Sequence, residues 1–539
     1  MFQKFRNHFF LAIVFFILSL LQQYGFYAFK GFPIVWLTLG KYFGVLLFFY
    51  IFTFTPGTIL RFLILSFLLI LNFFQMAHLS YFGTQVLPNE IFLFFAEYKE
   101  IGETLSTEFS HILIPLMFTL IPMAVGFVFI KKYKSLFTFK FVPILIAAYF
   151  IYNPMRTYVT GNTWGRQPST RELSGMNLYL SLSYCLGRII PSKLESKKYS
   201  IQENESLKLK LEKIGNSKWD NIIVILGESL TPHHMSLYGY ARPTTPFLTS
   251  LKFSPNFYHS IALSSGVSTD ISVAFFLNLG YGEAGAIKAA KGEHCLLKLA
   301  KEVGYSTHFL STQSSEQLRY ISPYLCTAYL DDYRSLENLS PSTTDAESAV
   351  DRDALPKLNE LLETKMKKFI ILHQRGSHAP WALRYRPIAA KFNSEGTDQR
   401  VNDYDNSVVE FDLYWKELHD LLSTKKSKNL VIYLSDHGES VGEGNRYGHG
   451  FLLPAAFEVP LIIQAYNNEL PKRTRDLPNF LPQYSLSLFL AGELGWSANQ
   501  DPHTIMKDYV IFGNDIDGFA GKANITFGPG STYRSKAIP

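Results

Sequence analysis

Apolar and polar positions follow two different rhythms along this chain. Up to about residue 155, Phe, Leu and Ile run in stretches of roughly 20 residues, the length that crosses hydrocarbon, with charges gathered in the breaks. From Trp219 onward, short apolar runs of strand length alternate with mixed segments, as in an α/β fold. The first rhythm predicts five membrane spans, at 9–27, 33–54, 58–78, 111–130 and 138–155. The first reads as a span and not as a cleaved leader, since a small-residue cleavage pattern is missing and further spans follow. The second carries Lys41, expensive at mid-membrane. It snorkels, faces a polar cleft or marks a boundary that lies elsewhere.

Residues 156–190 mix aromatic and polar positions, as along a surface, and Ser192–Lys218 is a charge-rich bridge expected to be a solvated helical linker. The predicted layout is a helical transmembrane domain over 1–155, a linker with interfacial segments over 156–218, and a catalytic domain over 219–539. With the N-terminus inside, the inner turns hold Arg61, Lys131, Lys132 and Lys134, and the outer loop at 79–110 is acidic. It holds Glu90, Glu97, Glu100, Glu103 and Glu108 against Lys99. That asymmetry obeys the positive-inside rule and puts everything after about residue 156 on the far side. The run Ile91–Ala96 is too short to span, and either touches lipid headgroups or packs on the globular domain.

Composition narrows the choice further. A net charge of +6 in 539 residues gives no argument for nucleic acid. Neither a dinucleotide fingerprint nor a phosphate-cradling GxxxxGK[ST] is present. The three cysteines, Cys185, Cys295 and Cys326, lack CxxC spacing, which argues against a thiolate zinc site. Cys295 and Cys326 form a disulfide if the domain is extracytoplasmic, or remain free buried thiols.

The chemistry gathers where apolar runs stop. Asn221–Leu226 ends in Gly227-Glu228-Ser229, Phe369–Leu372 leads to His378, and Leu430–Leu434 ends in Ser435-Asp436-His437-Gly438. Ligands of open α/β sheets collect outside the carboxyl ends of the strands, so three distant segments deliver Glu228, His378, Asp436 and His437 to one edge. Carboxylate and imidazole together suit a divalent metal such as zinc. A metal-activated hydroxyl is the expected nucleophile, either Ser229 or one in Ser264–Asp270, a stretch that also has the look of a helix N-cap. His449, in a glycine-rich loop, is a second ligand, a phosphate donor or a leaving-group acid. His233 and His234 read as surface or supporting residues, and Arg242 as a candidate turn cation.

Four ordered blocks carry a resemblance: Gly227-Glu228-Ser229 followed by SLYGYARPTTPFL (236–248), HQRGSHAP (373–380), YDNSVVEFD (404–412) and SDHGESVGEGNRYGHG (435–450). Together they resemble the membrane phosphoethanolamine transferases of the alkaline phosphatase/sulfatase superfamily. The resemblance implies five spans, a periplasmic α/β catalytic domain with a central mixed sheet, and a bacterial inner-membrane location. It implies zinc bound by Glu228, Asp436, His437 and the nucleophile, which it identifies as Thr269. It gives His378 and His449 to the substrate phosphate or a second zinc, and places Leu310–Ser314 at a substrate-contacting stretch. The donor would be phosphatidylethanolamine, the acceptor lipopolysaccharide core, lipid A or another envelope glycan. Lipid A-modifying members flank the threonine with a cysteine pair where this chain has Ser265 and Phe275. That departure leans toward a core or other envelope acceptor, and the low cysteine count implies that the family's other disulfides are missing too.

Rival readings are a phosphoglycerol transferase, a phosphatase or sulfatase on the same fold, and a non-catalytic module that binds envelope lipids. A sulfatase would need a CxPxR-type context, which the chain lacks.

Overall fold

Helix breakers set the layout of the first of two units, Met1–Lys197 and Lys198–Pro539, in the computed structural model. The structure describes residues 2–96, 102, 109–133, 137–161, 172–191, 209–282, 294–319, 321–340, 350–393, 398–501, 508–513, 521–529 and 532–538. In the first unit, Phe2–Leu20 (α1) continues through a π-turn, Leu21–Gly25, into Phe26–Lys30, and Gly31 ends the run in the left-handed region. Pro33 disfavours helix in the residue before it, and the next helix, Leu39–Phe52 (α2), begins only at Leu39. The expected span from 33 therefore shrinks to 14 residues. Lys41 stands in its first turn, paired with Glu172, so the boundary was misplaced.

Thr58–Phe82 (α3) runs from Gly57 to a left-handed Gly83, and Pro88–Ala96 (α4), Phe109–Lys132 (α5), Val142–Thr160 (α6) and Ser174–Tyr184 (α7) follow. Among the described residues, three helices are long and apolar enough to cross a membrane: Phe5–Lys30, Thr58–Phe82 and Phe109–Lys132. Of the other two expected spans, α2 is a shorter apolar helix, and the Asn153-Pro154-Met155-Arg156 stretch makes the second half of α6 more polar. Arg61 lies not in a loop but buried in the first turn of α3, where its Nε donates to Gly57 O at 3.3 Å. Ile91 packs against Leu71, Leu178 and Cys185 of the same unit, whereas Phe94 and Phe95 stay exposed. Glu97, Lys99, Glu100, Glu103, Glu108 and Lys134 lie outside the described residues.

Polar side chains join these helices. Gln22 Nε2 donates to Leu69 O and Thr119 Oγ1, both at 2.9 Å, and Asn72 Nδ2 donates to Gln22 Oε1 at 2.9 Å. Ser174 N donates to Gln23 Oε1 at 2.8 Å, which docks α7 among the helices instead of along a surface. Such contacts between membrane helices contribute about 0.6–2 kcal/mol each.

The second unit is built on an eight-stranded mixed sheet. Its strands are Asn221–Gly227 (β1), Phe257–Leu263 (β2), Ser306–Ser311 (β3), Asp332–Arg334 (β4), Lys368–His373 (β5), Asn429–Ser435 (β6), Glu458–Tyr466 (β7) and Leu481–Pro482 (β8). The spatial order is β8-β2-β7-β6-β1-β5-β3-β4. β6, β1, β5, β3 and β4 are mutually parallel, and β7 runs antiparallel to both neighbours. β1, β5 and β6 are buried along their whole length, which explains their unbroken apolar runs. Alternation splits them between two cores: Ile222, Val224 and Leu226 on one face, Ile223 and Ile225 on the other. The helix Gln399–Ser423 (α8) covers the second face with Tyr404, Val408, Phe411, Trp415 and Leu418. The expected linker ends otherwise than predicted. Residues 192–208 lie outside the described residues, and Leu211–Lys213 is a strand paired with Trp496–Ala498. Cys295 and Cys326 are disulfide-bonded, the first of the two alternatives open to them, so the low cysteine count did not exclude this bridge; Cys185 is free and buried.

Candidate active site

Register brings the strand ends together. Gly227 pairs with Ser435, Leu226 with His373, and Ser311 with His373, so β6, β1, β5 and β3 finish on one edge. Glu228 leaves β1 through Ser229, a non-glycine residue at φ 57°. That left-handed turn costs about 1–2 kcal/mol. It is held by Ser229 N donating to Asp436 Oδ1 at 3.2 Å and by the Tyr404 hydroxyl donating to Ser229 O at 2.8 Å. Two glycines permit close packing here. A Cβ on Gly376 would stand 2.5 Å from Glu228 O, and one on Gly438 would stand 2.1 Å from Ala455 O.

Thr269 is the first residue of the helix Thr269–Leu277, after Ser268 in extended conformation. Its hydroxyl donates to Glu228 Oε2 at 3.2 Å and lies 3.4 Å from His437 Nε2. His437 Nε2 is 3.3 Å from Glu228 Oε1 and 3.5 Å from Asp436 Oδ2. Ser229, the rival hydroxyl, is fully buried and donates to Glu228 Oε1 at 2.9 Å, whereas Thr269 is partly exposed.

Glu228, Asp436 and His437 are all buried and offer ligand atoms within 4.8 Å of one another. Two carboxylates and one imidazole in such a place carry a charge that calls for a cation. Without one, burial and the Glu228 charge push Asp436 up to about 7. Burial alone would lower His437, but Asp436 and Glu228 hold it up to about 10. Burial would likewise raise Glu228, yet the His437 hydrogen bond and the His437, His378 and His449 charges hold it well below the carboxylate range. His437 Nδ1–H donates to Gly438 O at 2.8 Å, which turns Nε2 toward the carboxylates as a ligand would need. Asp436 Oδ2 is buried and accepts no hydrogen bond among the described residues. The residues present therefore fit a divalent metal.

The remaining predicted residues divide. The ring of His449 lies 4.5 Å from that of His437 and 5.5 Å from that of His378, so both histidines stand beside the cluster. His233 instead bonds Glu458 at 2.7 Å, and His234 bonds Asp405 at 2.7 Å. Arg242 also pairs with Asp405, at 2.7 Å, and is a structural cation. Gln313 belongs to the stretch 310–314 that the resemblance marks, whereas Glu439 was not singled out from sequence. Gln313 Nε2 donates to Glu228 Oε2 at 3.2 Å, two positions beyond the end of β3. Buried Glu439 faces His449 Nδ1 at 3.4 Å. A third contribution comes from the C-terminal strand Asp508–Phe512 (β9). Phe512 N donates to Ser265 O at 2.9 Å, Val267 N donates to Phe512 O at 3.2 Å, and Ser265 Oγ lies 2.8 Å from the Tyr509 hydroxyl.

Residues 220–482 match the family model described as sulfatase. This stretch is a sulfatase-family domain. The chain is 28% identical over 260 residues to phosphoethanolamine transferase EptA of Helicobacter pylori, covering 45% of this chain and 47% of that protein. It is 30% identical over 275 residues to phosphatidylethanolamine transferase Mcr-1 of Escherichia coli, covering 48% and 47%. The match thus spans about half the length of these curated relatives. In solved structures, the integral membrane protein lipooligosaccharide phosphoethanolamine transferase A from Neisseria meningitidis resembles the chain in fold. The TM-score is 0.57 and the identity 17%, over 91% of this chain and 96% of that one. The sulfatase-family domain thus contains every residue of the cluster around Thr269.

Proposed function

We propose that this protein transfers phosphoethanolamine from phosphatidylethanolamine to an envelope glycolipid, lipopolysaccharide core or lipid A, through a phosphothreonine at Thr269. The observation that carries this reading is the Thr269 hydroxyl, partly exposed at a helix start and within 3.4 Å of both Glu228 and His437. The relatives' names, phosphoethanolamine transferase EptA and phosphatidylethanolamine transferase Mcr-1, supply the group and the donor.

Zinc held by Glu228, Asp436, His437 and Thr269 would lower the pKa of the threonine hydroxyl. In the first half-reaction, Thr269 Oγ bonds to phosphorus and the bond from phosphorus to the diacylglycerol oxygen breaks. The threonine proton passes to water, and the departing oxygen takes one from protonated His449 or His378. In the second half-reaction, an acceptor hydroxyl or phosphate oxygen bonds to phosphorus, the Oγ–P bond breaks, and Thr269 recovers its proton. His378 and His449 also stabilise charge on the transferring oxygens. The layout proposed with it is an inner-membrane protein with five spans over 1–155, the N-terminus cytoplasmic, a linker over 156–218 and a periplasmic catalytic domain over 219–539.

The test is to incubate the full-length protein with phosphatidylethanolamine without acceptor and weigh the Thr269 peptide by mass spectrometry. A phosphoethanolamine adduct is expected. A phosphoglycerol adduct formed only from phosphatidylglycerol would change the group, and an unmodified threonine in a turning-over enzyme would refute the intermediate.

A further inference from the structure

Inside the first unit, a cavity of about 390 Å³ opens between α2, α3, α6 and the segment leading into α7. Its wall changes character along its depth. At one end stand Lys41 and Glu172, joined as an ion pair, with Asn72 nearby. Their side chains keep 37% and 27% of their surface accessible, so the pair is not sealed by the helices. Lys41 lies in the first turn of α2. Seven residues further, about 10 Å along the axis, Phe48 and Phe49 line the other end with Leu68 of α3. Lys41, Gly44, Val45 and Phe48 form the i, i+3, i+4, i+7 stripe that turns one helix face to the cavity.

A charged pair at one end and an aromatic and aliphatic wall at the other describe an amphiphile. The charges decide which kind. Lys41 and Glu172 sum to zero, so an anionic lipid would leave one net charge in an apolar cavity, at a large desolvation cost. A lipid carrying both phosphate and ammonium adds no net charge and sets four charges in alternation. We infer that this cavity holds a zwitterionic phospholipid, its phosphate against Lys41, its ammonium against Glu172 and an acyl chain along Phe48 and Leu68. This site belongs to the membrane unit alone and does not depend on the role given to Thr269.

The test uses the full-length protein in detergent and a phosphatidylethanolamine with a photoreactive acyl chain, with labelled peptides mapped by mass spectrometry. Labelling is expected on Leu39–Phe52 or Thr58–Phe82. Unlabelled phosphatidylethanolamine should compete roughly tenfold better than phosphatidylglycerol, the size of one charge-assisted contact. Lys41→Met should weaken labelling by a similar factor. A second variant avoids disturbing the ion pair: Gly44 lines the cavity and a Cβ there would meet nothing within 4 Å, so the side chain of Gly44→Leu starts into open space and should also remove the label. Equal competition by phosphatidylglycerol, or labelling unchanged in Gly44→Leu, would overturn the assignment. A Thr269→Ala protein should label normally, so failure here and failure of the phosphothreonine reading are separate results.

Discussion

Phe512 meets Phe275 edge-on, with ring centroids 5.5 Å apart, so the C-terminal strand grips the helix that starts at Thr269. The grip is doubled by the backbone bonds of Phe512 to Ser265 and Val267. Phe512→Ala is expected to cost about 3–5 kcal/mol of stability, and to lower transfer more than zinc binding, since no metal ligand is touched. Tyr509→Phe, which keeps the ring and removes the hydroxyl bonded to Ser265, should cost about 1 kcal/mol. Thermal unfolding with zinc analysis of both variants checks this.

Thr269→Ala removes the attacking oxygen and little packing, because the side chain is partly exposed. Transfer should fall by at least ~10³-fold, as for other nucleophile deletions, with the melting temperature nearly unchanged. Thr269→Ser should keep part of the activity. An alanine variant that still carries phosphoethanolamine to acceptor would place the nucleophile elsewhere.

Metal binding should respond to pH in a definite direction. In the metal-free folded unit, Asp436 titrates at about 7 and His437 at about 10, above unfolded values of about 3.9 and 6.5. The folded state thus binds more protons across this range, and its stability falls as pH rises from about 4 toward 10. Glu228, held low, acts oppositely but only below its ordinary 4.5. A divalent cation replaces the protons that are lost. The rise in melting temperature on adding zinc should therefore be larger at pH 8 than at pH 5; a larger rise at pH 5 would contradict the ligand set.

Gly376 sits at φ 57°, with Glu228 O where a Cβ would go. Gly376→Ala should push Glu228 off its position and add about 1–2 kcal/mol of backbone strain. Reduced zinc content alongside a lower melting temperature is the expected result. Full zinc occupancy in the folded variant would show that the ligand tolerates the shift.

The sheet and the cluster were legible because β1, β5 and β6 are unbroken apolar runs that stop at Glu228, His373 and Asp436, and parallel register does the rest. Thr269 was legible only through resemblance, since nothing local distinguishes its hydroxyl from Ser229. Their unequal burial needed the fold. Gln313 was reached only within the stretch 310–314 of the resemblance, and Glu439 escaped because a lone carboxylate has no periodicity to mark it. The part that the strand Asp508–Phe512 plays at the site escaped because Ser265, which it bonds, lies more than two hundred positions away. In the membrane unit, hydropathy located the long helices but misjudged where Pro33 delays α2 and how far polar residues enter α6.

The bond between Cys295 and Cys326 closes a loop across 31 positions, and a crosslink of that reach contributes about 3–4 kcal/mol. Forming it removes two electrons from the chain, so maturation of this unit needs an oxidant as well as a sequence. Synthesised in a reducing cytosol, the same polypeptide would fold without its staple, and overproduction strains lacking thiol-oxidising machinery should yield a softer, more protease-sensitive protein.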